Sequence, residues 1–139
     1  MTSQIDPTEA SAAESPRSPT IVVGYSSKAE GRAALDRALA EARLRQAQLF
    51  VVNTSPDGDL TALRTELSES GVGFELHDVG EAIDPAEELL TAADSTGADF
   101  IVIGLRRRSP VGKLLLGSNA QRILLDAACP VLAVKAEVT

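Results

Sequence analysis

Four short runs of the chain are apolar at nearly every position, which is typical of strands buried on both faces of a parallel sheet. They are IVVGY from Ile21, LFVV from Leu49, FIVIG from Phe100 and VLAV from Val131. A fifth run, FELHDV from Phe74, alternates between apolar and polar residues. Phe74 and Leu76 are predicted to face the interior. Glu75 and His77 are predicted to face water, so this run suits a strand at the edge of the sheet.

Between the strands, apolar residues recur at positions i, i+3, i+4 and i+7, which places them on one face of a helix. Three segments show this spacing: Leu35, Ala38, Leu39 and Ala42; Ala86, Leu89, Leu90 and Ala93; and Ala120, Ile123, Leu124 and Ala127. A weaker fourth helix is marked by Leu60, Leu63 and Leu67. The predicted order of elements is therefore β-α-β-α-β-α-β-α-β.

Residue pairs with the spacing of a capping box lie at the predicted starts of three helices. The pairs are Ser27 with Glu30, Asp84 with Glu87, and Ser118 with Gln121. Pro85 follows Asp84 at the first helical position, where the missing N–H of proline costs nothing. The sequence therefore predicts side-chain caps from Ser27, Asp84 and Ser118.

The alternation of strands and helices predicts an α/β fold. It is expected to be a three-layer sandwich, with a five-stranded parallel sheet between helices on both faces. Ligands of such folds bind outside the carboxyl ends of the strands, at the point where the strand order reverses. The loops after Tyr25, Val52 and Gly104 are the candidates for that place.

Composition narrows the classes of partner. The 139 residues suffice for one domain, and 44% are hydrophobic but only 3% aromatic, so an aliphatic core is expected. The net charge of −7 argues against binding to nucleic-acid backbones, which depends on clustered lysine and arginine. No apolar run approaches the roughly 18 residues of a membrane span, and the N-terminus is unlike a signal peptide. We expect a soluble cytoplasmic protein without nucleic-acid or membrane partners.

The first nineteen residues differ from the rest of the chain. They read MTSQIDPTEASAAESPRSP and are rich in Ser, Thr, Pro, Ala and Glu. Such a segment buries too little apolar surface to offset the entropy lost on ordering. We expect residues 1–19 to form a disordered tail and residues 20–139 to form one domain.

The loop after Gly104 carries the groups best suited to an anion. Gly117 and Ser118 precede a predicted helix, whose N–H groups and dipole favour a phosphate. The run Arg106–Arg108 is a concentrated basic cluster. Ser118 is interpreted either as a plain helix cap or as a phosphate ligand, and the arginines either as a solvated loop or as an anion contact. Walker and dinucleotide motifs are both absent from the sequence.

No catalytic residue and no metal site is predicted. His77 has no second histidine to share a metal and is expected on the surface. Cys129 is the single cysteine and is expected to be a buried, inert thiol. Paired carboxylates or a Ser/His/Asp arrangement cannot be argued from the spacing, so the chain is not expected to be an enzyme.

Over roughly residues 20–135 the chain resembles the universal stress protein family. The resemblance rests on the opening IVVGYSSKAEGRAAL, on GADFIVIG, and on the closing block GKLLLGSNAQRILLDAACPVLAVK. The spacing from Gly104 to Gly117 and Ser118 also matches the family's nucleotide motif, G-x2-G-x9-G-S/T. The resemblance implies a Rossmann-like fold, similar to the adenine nucleotide alpha hydrolases, with strand order 3-2-1-4-5. It also implies a small homodimeric stress-response protein with an adenine nucleotide site.

Two positions depart from the family pattern. The middle glycine of the motif is Arg107, and the aspartate that follows the first strand in ATP-binding members is Ser26. One hypothesis is that the chain binds ATP weakly, with Mg²⁺. A second is that it has lost the nucleotide and docks a protein partner through the arginine loop, and a third is slow nucleotide hydrolysis. The candidate nucleotide-binding residues are Tyr25, Ser26, Val52, Gly104, Arg107, Arg108, Gly117, Ser118 and Asn119.

The last strand indicates an interface between two copies of the chain. Residues Val131–Val134 are apolar on both faces, yet the family order places this strand at an edge of the sheet. An uncovered apolar edge promotes aggregation, and pairing with the same strand of a second copy would cover it. We therefore expect a homodimer through Val131 to Val138.

Overall fold

The computed structural model describes residues 18–54, 60–79, 84–106 and 116–136. In this part of the chain strands and helices alternate as the sequence predicts. They are β1 (Thr20–Tyr25), α1 (Ala29–Arg45), β2 (Gln48–Asn53), α2 (Thr61–Glu69), β3 (Phe74–Asp78), α3 (Pro85–Thr96), β4 (Phe100–Leu105), α4 (Ser118–Asp126) and β5 (Val131–Lys135). The first 17 residues of the predicted tail lie outside the described residues. None of the described helices combines the length and the apolar content that a membrane crossing requires.

The strands form one parallel sheet in the order β3-β2-β1-β4-β5. This confirms the predicted order 3-2-1-4-5. In the centre, Ile21 of β1 lies opposite Leu49 of β2 on one side and Phe100 of β4 on the other. The chain leaves β1 in one direction and returns to β4 on the opposite side, so the strand order reverses between these two strands.

Two apolar cores fill the spaces above and below the sheet. One core packs α1 and α2 against one face, with Ile21, Val23, Leu35 and Leu67 among its fully buried side chains. The second packs α3 and α4 against the other face and contains Val22, Val52, Leu89, Ile101 and Ile123. Alternate residues of β1 thus enter different cores, which explains why this strand is apolar throughout. The three-layer α/β sandwich is confirmed.

Strand β3 closes one edge of the sheet and has the predicted alternation. Phe74 and Leu76 are partly buried against the core of α1 and α2, whereas Glu75 and His77 are exposed. The His77 ring lies against Phe50 of the neighbouring strand, with ring centroids 6.0 Å apart. The structure therefore confirms the interpretation of the FELHDV run as an edge strand.

Only one of the three predicted helix caps is formed as expected. Asp84 caps α3, where its Oδ1 accepts the Ala86 N–H at 3.1 Å. The caps predicted at Ser27 and Ser118 are wrong, because the N-cap residues are Lys28 and Gly117. Both Lys28 and Gly117 have extended backbones, with ψ of 168° and 167°. Helix α1 therefore begins one residue later, and α4 one residue earlier, than the predicted capping boxes require.

Helix α4 buries a narrower face than its apolar spacing predicts. Ile123 is buried, and Ala120 and Ala127 are partly buried against the same core. Leu124, predicted to face inward, is 39% exposed, and Leu125 is 82% exposed. The prediction for Leu124 is wrong because α4 lies beside α3 at the end of the sheet and contacts the core mainly through Ile123.

The first turn of α1 lies directly on β4 at Gly104. A Cβ atom at Gly104 would overlap the backbone carbonyl of Glu30. At the next residue of α1, a Cβ atom at Gly31 would overlap the backbone and the hydroxyl of Ser26. Both glycines are therefore required by close approach of main chain to main chain.

Replacing Gly104 with alanine should destabilise the fold by about 2 kcal/mol or more, because the atom in the way belongs to a helix backbone and not to a movable side chain. The matched control is Gly117→Ala. Among the described residues, no atom lies within 4 Å of a Cβ at Gly117, whose φ is −70°. That change should cost less than about 1 kcal/mol, the usual effect at an N-cap. Urea unfolding of both variants checks the difference, and equal losses would contradict it.

Candidate functional site

A cleft opens at the carboxyl ends of β1 and β4, where the strand order reverses. It encloses about 320 Å³. This is near the lower end of the range, about 300–1,000 Å³, found for small-molecule sites. The first turns of α1, α3 and α4 all border it, so the cleft lies where the sequence pattern and the general rule for open α/β sheets place a ligand.

One wall of the cleft is apolar. It is formed by Pro85, Ala86 and Leu89 of α3, Ile103 of β4, and Ala120 and Ile123 of α4. Ala86, Leu89, Ile103 and Ile123 belong to the core beneath, so this wall is the exposed rim of a packed interior. Such a surface suits the face of a planar, uncharged ring.

The opposite wall is polar and comes from the turn between β1 and α1. Ser26, Lys28 and Glu30 line it, together with Thr54 at the end of β2. The Ser26 Oγ accepts the N–H of Lys28 at 3.3 Å, and the Thr54 hydroxyl donates to the Tyr25 carbonyl at 3.0 Å. These two hydroxyls are therefore engaged in holding the turn.

Glu30 differs from its polar neighbours. Its Oε1 is buried and accepts no hydrogen bond from the described residues. A buried carboxylate oxygen without a donor loses its hydration and gains nothing in return, a cost of about 1–3 kcal/mol or more for charged groups. Among the described residues of this wall, Glu30 is therefore the one with a buried acceptor atom that has no hydrogen-bond donor.

The N-terminus of α4 meets the cleft at Asn119 and Ala120. Its N-cap is Gly117, which has no side chain to accept the first N–H groups of the helix. The positive end of the helix dipole and these N–H groups favour an anion. Ser118 is the first helical residue, so the interpretation of this serine as a plain helix cap is wrong.

Three of the nine predicted site residues line the cleft: Ser26, Gly104 and Asn119. Gly117 and Ser118 are exposed beside it and do not line it. Val52 is fully buried in the core of α3 and α4, because the alternation of β2 directs its side chain inward. Tyr25 packs against the core of α1 and α2. Arg107 and Arg108 lie outside the described residues.

Most residues of the cleft lining are not among the candidates that the sequence predicts. Lys28, Glu30 and Thr54 stand within five residues of strand ends, which is a usable signal for polar ligands. The apolar wall offers no such signal. Ala86 and Leu89 read as ordinary core positions of a helix, and only the packing of α3 over the sheet brings their edges to the cleft.

Arg122 ties together the two helices that bear the apolar wall. Its guanidinium is paired with the carboxylates of Asp84 and Glu87 on α3, and lies 3.9 Å from that of Asp126 on α4. Burial would by itself raise the pKa of Asp84, but the Arg122 guanidinium and the N–H groups of Glu87 and Ala86 together lower it. The tie holds the first turn of α3 against α4.

His77 and Cys129 lie away from the cleft lining. His77 is exposed, as predicted, with its Nε2 3.3 Å from Glu88 Oε1. Cys129 is partly buried, and desolvation is the main cause that raises the pKa of its thiol. Among the residues that the structure describes, no three His, Cys, Asp or Glu side chains are grouped so as to hold a metal ion.

The Arg122 tie should make stability depend on pH. The pKa of Asp84 is lower in the folded state than the value of about 3.9 expected in the unfolded chain. The ion pair therefore stabilises the protein at pH values above the unfolded-state pKa. This stabilisation is lost as the pH falls through the lower, folded-state pKa. Arg122→Met should therefore be less stable than wild type near neutral pH, and the difference should shrink steadily below about pH 4.

The control for this prediction is Arg64→Met on α2. Arg64 is exposed and has no ion pair with another described residue. Its replacement should change stability little at any pH. Urea unfolding at a series of pH values gives both comparisons. Carboxylates titrate between about pH 7 and pH 2.5. If Arg122→Met lowered the free energy of unfolding by the same amount at both pH values, the tie would act by packing alone.

The profile of the universal stress protein family matches residues 60–135. A universal stress protein of Mycolicibacterium smegmatis is 47% identical over 127 residues, which cover 83% of this chain and 96% of the relative.

Two similar solved structures are described with a nucleotide. One is the universal stress protein from Archaeoglobus fulgidus in complex with dAMP, with a TM-score of 0.59 and 25% identity over 86% of this chain and 98% of that one. The other is a universal stress protein in complex with cAMP, with a TM-score of 0.63, 25% identity and the same coverage.

Proposed function

Because this chain belongs to the universal stress protein family, we propose that it binds an adenine nucleotide in the cleft between β1 and β4. The observation that carries the proposal is the pairing of an apolar wall with a helix N-terminus whose N-cap has no side chain. Two solved proteins of this family that resemble the chain in fold are described in complex with adenine nucleotides.

Each part of a nucleotide has a matching surface in the cleft. The adenine ring lies against the apolar wall around Leu89 and Ile103, where its faces lose contact with water. The phosphate accepts hydrogen bonds from the first N–H groups of α4 near Asn119. Lys28 is the cation among the described lining residues and supplies a compensating charge.

The proposed role is ligand-dependent regulation in the stress response, and not rapid catalysis. Weak ATP binding, with Mg²⁺ beside the phosphates, is the form of this function that the motif spacing supports. Arg107 occupies the middle motif position in the sequence between β4 and α4. A guanidinium at that position either contributes to phosphate binding or blocks it, and substitution decides between these two effects.

Calorimetric titration tests the proposal with AMP, with ATP in the presence and absence of Mg²⁺, and with adenosine. AMP and ATP should bind saturably, and Lys28→Met should weaken both by about two- to fivefold, the worth of a partly solvated charge contact. Binding of adenosine, which has no phosphate, should not change. Arg64→Met is the control for loss of a positive charge away from the cleft. A wild-type protein that binds none of these ligands would overturn the proposal.

The arginine loop is tested by the same titration of Arg107→Gly. Weaker ATP binding would mean that the guanidinium contacts the nucleotide, and tighter binding would mean that it blocks the site. If binding appeared only in the glycine variant, the native chain would instead act through its surface. Release of inorganic phosphate from ATP in these samples would favour the hydrolase hypothesis.

We also propose that the protein is a homodimer that pairs through β5. Val131, Leu132, Ala133 and Val134 are apolar, yet each is only partly buried in the single chain. No described strand pairs with the outer edge of β5. A second copy of β5 would cover the side chains and satisfy the backbone groups at this edge.

Ala133→Pro should separate the dimer into folded monomers. The Ala136 N–H donates to the Leu105 carbonyl of β4 at 2.9 Å, and in a parallel ladder the backbone groups of Val134 point to the same side. Those of Ala133 therefore point outward, where proline removes a donor without breaking the sheet. Sedimentation should show a dimer for wild type and a monomer for the variant at micromolar concentration. A wild-type monomer would contradict the interface.

A further inference from the structure

The buried oxygen of Glu30 identifies which part of a nucleotide this wall contacts. Glu30 lines the cleft, and its Oε1 accepts no hydrogen bond from the described residues. Buried polar groups in folded proteins nearly always have a partner. A carboxylate is an acceptor only, so the missing partner must be a donor. Phosphate groups of a bound nucleotide are acceptors themselves and would be repelled. The ligand groups that can donate are the ribose hydroxyls and the amino group of adenine.

The neighbouring hydroxyls can still accept a hydrogen bond, but they are neutral, so the Glu30 carboxylate is the stronger acceptor on this wall. The Ser26 Oγ already accepts the Lys28 N–H, and its side chain lies tightly against Gly31. The Thr54 hydroxyl already donates to the Tyr25 carbonyl. Ser26 stands where ATP-binding relatives have an aspartate, so the chain lacks a carboxylate at that position. Glu30 is the described carboxylate that lines the cleft, four residues further along the chain.

The position of Glu30 favours the ribose over the base. Its backbone carbonyl lies against Gly104, the residue that follows Ile103 of the apolar wall on β4. The N-terminus of α4 borders the same cleft at Asn119. A nucleotide with its base against Leu89 and Ile103 and its phosphate at α4 would place its sugar near Gly104, which follows Ile103 on β4. Acidic side chains that accept from ribose hydroxyls are a recurring solution in α/β nucleotide sites.

Resting on the adenine nucleotide function proposed above, we propose that Glu30 accepts hydrogen bonds from the 2′- and 3′-hydroxyls of the ribose. It is a specificity-determining residue: it favours a nucleotide in which both hydroxyls are present over a deoxynucleotide or a 3′,5′-cyclic nucleotide. Each of the latter two has lost one of the donors that the carboxylate requires.

The test is a cycle of calorimetric titrations that changes the protein and the sugar separately. AMP, 2′-deoxy-AMP and 3′-deoxy-AMP are titrated into wild type and into Glu30→Gln. Wild type should bind AMP at least about tenfold more tightly than either deoxynucleotide, the usual effect of a hydrogen bond to a charged group. In Glu30→Gln this preference should fall to about threefold or less. The ratio is independent of any change in phosphate affinity that follows from removing a negative charge.

Glu69→Gln is the matched control, since Glu69 is an exposed glutamate at the end of α2 and does not line the cleft. It should keep the wild-type preference. Glutamine has the shape of glutamate, and thermal unfolding checks that Glu30→Gln remains folded. If it did not fold, the wild-type series would still decide, because equal affinities for AMP and the deoxynucleotides overturn the proposal and a preference for AMP supports it.

The outcomes separate this inference from the proposed function. Wild-type protein that binds AMP with no preference between the three sugars would overturn the role of Glu30 and leave nucleotide binding intact. If the preference for AMP over the deoxynucleotides persisted unchanged in Glu30→Gln, another group would contact the ribose. The role of Glu30 would then also be overturned, with nucleotide binding left intact. Failure of wild type to bind any adenine nucleotide would overturn the proposed function itself, and the inference with it.

Discussion

The contact between the first turn of α1 and the backbone of β4 at Gly104 sets the geometry of the whole site. Since no Cβ fits between Gly104 and the Glu30 carbonyl, the helix is held at main-chain distance from the strand. This contact fixes where the turn between β1 and α1 ends, and so places the polar wall opposite the apolar one. Gly31 repeats the arrangement within the turn, where it lies against Ser26. A bulkier residue at either position would move the helix outward and widen the cleft.

The other side of the cleft is held by different forces. Helices α3 and α4 contact the sheet through aliphatic side chains, chiefly Leu89 and Ile123, and contact each other through the ion pairs of Arg122. The polar wall of the cleft is thus placed by a main-chain contact, and the apolar wall by side-chain packing and ion pairs.

The fold was predictable because its strands are buried on both faces. The uniform apolar runs at Ile21 and Phe100 and the alternation at Phe74 each reflect a single physical condition, burial on two faces or on one. The cleft was predictable only in position. Ser26 and Asn119 follow from a strand end and from a helix start. Leu89 reaches the cleft only through tertiary packing, and the spacing of Glu30 from Ser27 is that of a capping box, which gives no sign of a place in the cleft. The starts of α1 and α4 were misplaced by one residue because the extended backbones of Lys28 and Gly117 are set by their surroundings, not by local spacing.

Gly104 and Gly117, the two glycines of the motif that flank the loop, differ in what their surroundings require. Gly104 is needed wherever α1 rests on β4, with or without a ligand, whereas none of the described residues around Gly117 requires a glycine there. A chain of this fold would need the first glycine even if it bound no nucleotide. A glycine at that position is therefore evidence of how α1 packs on β4, and by itself it says nothing about a ligand.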